Sequence, residues 1–199
     1  MRLYEILNSD DYSHIRSILK QDCAPYIEVL KQTRGHPLFR GSDSGRPPKG
    51  ELTKISPKLE RKPKDTPIDI HNFMNKRFIT KFGYPFRNGI FASGEQRTAA
   101  HYGLVNILFP IGKLNYIWSG QVDDLVYVID RIYTKDEFDD EDTVNQNPQL
   151  AQEFENLIDT YKSVDLDRCI LSNHEVIFAN DCYLVSLSDY EYIIKGLLT

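Results

Sequence analysis

Apolar residues in the first third of the chain recur at helical spacing. Ile15, Ile18 and Leu19 share one face, with Asp10 or Ser13 placed to cap the helix that carries them. Pro25 opens a second helical stretch, Tyr26-Ile27-Glu28-Val29-Leu30, which stops before Gly35-His36-Pro37. Pro37-Leu38-Phe39-Arg40-Gly41 then reads as a short buried strand leading into a turn, followed by a long loop from Gly41 to Pro57 rich in Gly, Ser, Pro and Lys. Asp65 or Thr66 is expected to cap a helix with Pro67 in its first turn and Ile70, Phe73, Met74 and Phe78 on its inner face, ending at Phe82-Gly83.

The second half alternates shorter units. Gly89 to Gly94 reads as a strand ending in a small-residue turn, and Thr98 to Gly103 as a short helix stopped by glycine. Strands are expected over Leu104–Pro110 and Asn115–Trp118, and an amphipathic helix over Glu153–Tyr161. The chain closes with Glu175-Val176-Ile177-Phe178, the turn Ala179-Asn180-Asp181, and Tyr183-Leu184-Val185-Ser186. Helices and strands do not alternate regularly, so the pattern predicts an α+β domain with segregated strands rather than a parallel sheet. A chain of 199 residues with no internal repeat fits one such domain, 1–199.

Composition narrows the setting. Hydrophobic residues at 41% and charged residues at 27% are ordinary for a globular protein. The longest apolar runs, Ile107–Ile111 and Val176–Phe178, are strand-sized, so no membrane association is expected. Cys23, Cys169 and Cys182 are odd in number and lack metal-ligand spacing, which fits reduced thiols in a cytoplasmic protein. The net charge of −5 conceals an asymmetry. Arg46, Lys49, Lys54, Lys58, Arg61, Lys62 and Lys64 make a basic loop within about 41–64, while Asp136 to Asp142 is acidic. A local basic loop steers phosphate or nucleic acid towards one face, and the acidic run reads as a solvated turn or helix start.

Several chemistries lack their motifs. The chain has no phosphate-binding loop ending in Gly-Lys-Ser/Thr, no Gly-x-Gly-x-x-Gly after a strand, no His-Glu-x-x-His and no Gly-x-Ser-x-Gly elbow. What remains is a set of polar residues at strand ends: Arg40, Ser93 and Glu175. Taken singly, Arg40 is a solvated corner, Ser93 a turn serine, Glu175 a strand-edge carboxylate and Tyr102 a core aromatic.

Taken in order, three segments resemble the three signature strands of the Arg/Ser/Glu type of the ADP-ribosyltransferase superfamily. They are Phe39-Arg40-Gly41, then Phe91-Ala92-Ser93-Gly94 with Ala100-His101-Tyr102-Gly103 behind it, then Asn173-His174-Glu175-Val176-Ile177-Phe178. The stretch from Arg61-Lys62-Pro63 to Phe109-Pro110-Ile111-Gly112 is also similar to uncharacterised proteins of large tailed phages, which implies the host cytoplasm as location. The resemblance implies a split β core behind a helical N-terminal part, NAD as the substrate, and Arg40 and Gly41 binding NAD beside Ser93 and Tyr102. It also implies Glu175 as the catalytic carboxylate, with Asn173 two residues before it.

The chemistry gives these residue types physical sense. Breaking the nicotinamide–ribose bond passes through an oxocarbenium-like state, which a facing carboxylate stabilises more than it stabilises the substrate. A guanidinium grips pyrophosphate or ribose in a fixed fork, and a small hydroxyl beside glycine lets the backbone approach the ribose. Many protein-modifying members have Glu or Gln where this chain has Asn173. An amide is no base for an arginine acceptor but can hydrogen-bond a nucleobase edge. The expectation is therefore mono-ADP-ribosyl transfer from NAD to a macromolecular acceptor, protein or nucleic acid. The alternatives are a non-catalytic binding module of the same fold and an NAD glycohydrolase.

Overall fold

A computed structural model describes residues 12–43, 45–63, 65–133 and 144–199. The proposed cap Asp10, Lys64 of the basic loop and the acidic run 136–142 lie outside them. Two helices open the fold, α1 (Ser13–Asp22) and α2 (Ala24–Gln32), and realise the expected helical N-terminal part. Strand β1 (Leu38–Ser42) follows, then β2 (Thr53–Ile55) and helix α3 (Ile68–Phe82). A 3-10 turn at Phe86–Asn88 leads to β3 (Ile90–Ser93), α4 (Gln96–Ala100), β4 (Leu104–Pro110) and β5 (Tyr116–Trp118). The chain ends with α5 (Leu125–Ile132), α6 (Pro148–Asp159), α7 (Leu166–Leu171), β6 (Glu175–Phe178), β7 (Cys182–Ser186) and α8 (Leu187–Ile194).

The strands form one sheet in the order β2-β7-β4-β1-β3-β6-β5, antiparallel throughout, so the class is α+β. The seven strands are one continuous sheet with a thin middle. Strands β1 and β4 are matched at five positions, as are β4 and β7, whereas β1 and β3 meet only at Phe39 and Ser93. A four-strand and a three-strand half are thus joined by a single registered pair.

Alternating side chains serve two cores. Val176 and Phe178 of β6 point into the first with Ile15, Leu19, Tyr26 and Leu30 of the N-terminal helices and Phe109 of β4. Ile177 of the same strand points into the second, with Phe78, Ile129, Phe154 and Tyr161. Both faces of β6 are therefore dry, which explains its unbroken apolar run.

Three local expectations need correction. The loop 41–57 contains β2, whose Thr53, Lys54 and Ile55 pair with Leu184, Tyr183 and Cys182. Neither Asp65 nor Thr66 caps α3: Pro67 occupies the N-cap, and the Thr66 hydroxyl instead accepts from Arg87. Helix α6 starts earlier than Glu153, at Pro148, because the Asn147 side chain accepts from the amides of Gln149 and Leu150. Helices α5, α7 and α8 have no counterpart in the sequence reading. The stop of α3 at Gly83 is as expected, with left-handed backbone at φ 76°.

Candidate functional site

Three strands of the thin middle bring the expected residues together. Ser93 on β3 stands opposite Glu175 on β6, and Phe39, the neighbour of Arg40 on β1, stands opposite Ser93. Arg40, Gly41, Ser93, Tyr102 and Glu175 line one cleft of about 1110 Å3. That volume suits a large ligand, since small-molecule sites commonly span about 300–1,000 Å3.

Arg40 donates from Nη1 to the Phe91 carbonyl at 2.6 Å, a side-chain bridge from β1 to β3 where the backbone ladder is thinnest. Burial, reinforced by the Arg61 guanidinium, lowers its pKa. Ser93 is buried; its hydroxyl donates to the Asn173 carbonyl at 3.2 Å and accepts from the Glu95 amide at 3.0 Å. Gly41 has a steric cause. A Cβ there would lie 2.0 Å from the Ala99 carbonyl oxygen, so only glycine lets α4 pack on β1 and bring Tyr102 to the cleft.

Glu175 is 7% exposed, and its Oε1 has no hydrogen-bond partner. Burial, aided by neighbouring Asp124, pushes its pKa up to about 8. Arg87, the Leu125 amide at the start of α5 and Arg61 pull the other way without prevailing. A buried carboxyl with a free oxygen in a cleft is a group poised for a ligand.

Asn173 stands apart from the other expected residues. It adopts left-handed backbone at φ 64°, is exposed, and does not line the cleft. Its connection to the site is its backbone carbonyl, which receives the Ser93 hydroxyl.

Arg87 and Asp124 escaped the sequence reading, and Arg61 and Phe91 were named there only within the basic loop and the second signature segment. The Arg61 guanidinium lies 4.6 Å from the Phe91 ring centroid and that of Arg87 lies 5.6 Å from it. Arg87 is 4% exposed, donates to Thr66 Oγ1 at 2.9 Å and leaves its Nε unpartnered. Burial drops its pKa to about 10, although Glu175 opposes the fall. The Arg61 segment is tied down by Asn88, which donates to the Leu59 carbonyl and accepts from the Lys58 amide through its own carbonyl. Asp124 is buried and caps α5 by accepting from the Val126 amide; its other oxygen accepts from the Tyr102 hydroxyl at 2.5 Å. Only Asp124 carried a local signal, an acid directly before the apolar run Leu125-Val126-Tyr127-Val128-Ile129.

Not all the basic loop faces the cleft. Lys58, Arg61 and Lys62 line it, while Lys54 pairs with Asp181 at 2.8 Å. All three cysteines are free and buried. Among the described residues no cluster of His, Cys, Asp or Glu could hold a metal ion, and no helix is long and apolar enough to cross a membrane. A scan against protein-family models and searches of curated proteins and of solved structures find no match to this chain.

Proposed function

We propose that the chain is an NAD-dependent mono-ADP-ribosyltransferase that cleaves the nicotinamide–ribose bond and passes ADP-ribose to a macromolecular acceptor. The observation that carries this reading is the convergence of Arg40, Ser93 and Glu175, from three neighbouring strands, on one cleft. Three residues far apart in sequence line the same cleft, which supports the resemblance-based reading.

Each has a part its surroundings support. Arg40, anchored by the Phe91 carbonyl, presents its remaining N–H groups to pyrophosphate or ribose. Ser93 is held by Asn173 and Glu95 at the floor and orients the nicotinamide ribose. Glu175 hydrogen-bonds a ribose hydroxyl and faces the positive charge that grows as nicotinamide leaves. Its raised pKa fits this role: the cationic nicotinamide ring and the oxocarbenium-like state both favour the ionised carboxylate. Tyr102 walls the cleft, and Asn173 acts as a positioning residue through its carbonyl.

The test is nicotinamide release from NAD, followed by mass spectrometry with and without cell lysate. Release that falls about 100- to 1,000-fold in Glu175→Gln is expected, with ADP-ribose mass added to one class of lysate macromolecule. Folded protein that releases no nicotinamide under either condition would overturn the reading and leave a binding module.

A further inference from the structure

At the cleft, Tyr102 of the second signature segment is hydrogen-bonded to Asp124, which none of the three signature segments supplies. Asp124 and Leu125 are consecutive at the start of α5, and the Leu125 amide reaches Glu175 while the Asp124 side chain reaches Tyr102. Two carboxyl groups therefore sit at one helix N-terminus, one with a buried, unpartnered oxygen and the other behind a phenol. Asp124 does not itself line the cleft; Tyr102 does, and it is 40% exposed.

We propose that Tyr102 and Asp124 form a relay that removes the acceptor's proton during ADP-ribosyl transfer, and that the acceptor is a nucleic-acid strand. This rests on the transferase reading above. In the step, the C1′–N bond breaks and nicotinamide leaves with the electron pair. An uncharged N–H or O–H group of the strand attacks C1′. As the new bond to C1′ forms, the acceptor's proton passes to Tyr102 Oη while the phenolic proton passes to Asp124 Oδ2, where it stays until product release lets it return to solvent through Tyr102. No oxidant or further reactant is needed. The amide at Asn173 is no base, so the chain lacks an acid at the position the family uses; the relay fills that place.

The same cleft selects the acceptor by charge. Arg40, Arg61 and Arg87, with Lys58 and Lys62, outnumber the carboxylates of the same lining, Asp43, Glu60, Asp65 and Glu175, and disfavour a cationic nucleophile such as an arginine or lysine side chain. Exposed Lys58 and Lys62 on the cleft wall attract a polyanion, and Tyr127, 62% exposed on the first turn of α5 and next in sequence to the cleft-lining Leu125 and Val126, offers a ring on which a base can stack. A neutral nucleophile on a polyanionic backbone describes a nucleic acid.

The test compares wild type, Tyr102→Phe and Asp124→Asn with NAD and mixed-sequence single-stranded RNA and DNA oligonucleotides, with agmatine as the cationic comparator. Nicotinamide released and ADP-ribose attached are measured together. Asn is as good an N-cap as Asp, so Asp124→Asn keeps α5 even where the phenyl variant packs poorly. The expected result is a labelled oligonucleotide, little labelled agmatine, and a ratio of attachment to release that falls about 100-fold in both variants. A purely structural tie between α4 and α5 would lower both quantities together and leave the ratio unmoved, which overturns the relay alone. Agmatine labelled in preference to the strand overturns the acceptor assignment. Absence of nicotinamide release from wild type removes the transferase reading, and the relay with it.

Discussion

The two halves of the sheet differ in how they are held and in what they contribute. The half β2-β7-β4-β1 is laced by long ladders and packs on α1, α2 and α8. The half β3-β6-β5 has shorter ladders, but its central strand β6 is dry on both faces, enclosed by α3, α5 and α6 as well. Arg40 comes from the first half, Ser93 and Glu175 from the second. The junction between them has one registered backbone pair and one guanidinium bridge, and there the cleft opens. Stability resides in the two cores, and the site occupies the seam where the ladder is thinnest.

That contrast can be broken core by core. Phe109→Ala and Phe154→Ala each remove a fully buried ring, one from each core. Each is expected to cost about 3–5 kcal/mol, read from the urea midpoint. A cost below about 1 kcal/mol for either would mean that its core does not hold the fold.

The seam is expected to respond in the opposite sense. Glu175 has a folded-state pKa of about 8, above its unfolded value near ~4.3. Between those values the folded state holds more protons, so its stability falls as pH rises through the window and the penalty is complete above about pH 8. Glu175→Gln is therefore expected to raise stability by a few kcal/mol at pH 8.5 and to change little at pH 4, read from paired denaturation curves. Equal effects at both pH values would contradict the buried-carboxyl account.

Smaller effects sharpen the picture. Arg40→Ala removes the bridge to Phe91 and is expected to cost about 1.5–3 kcal/mol and to raise the apparent NAD constant more than it lowers turnover. Ser93→Ala loses the bonds to Asn173 and Glu95, at about 1 kcal/mol. A Ser93→Ala variant with an unchanged midpoint would show that the hydroxyl does not hold the β3 end to the turn before β6.

Short-range features were the legible ones. The strands around Arg40, Ser93 and Glu175 stand out because apolar runs end there in small or polar residues. Pairing Ser93 with Glu175 needed only strand order. Arg87 was illegible because an arginine in a Pro/Gly-flanked segment reads as solvated, and only the folded chain reveals it, with Arg61 of the basic loop, beside Phe91. Strand β2 was missed because three residues, two of them exposed, show no alternation long enough to read; β7 supplies the partner. Asn173 was given a site role by the family resemblance, yet it sits in left-handed backbone outside the cleft and touches the site through its carbonyl.

The most direct test of the central claim is kcat/KM for nicotinamide release from NAD as a function of pH, in wild type and Glu175→Gln. The account predicts a rate that rises as Glu175 ionises, with its limb near pH 8, and that is lost in the variant at every pH. Release that persists in Glu175→Gln with the same pH dependence would contradict it.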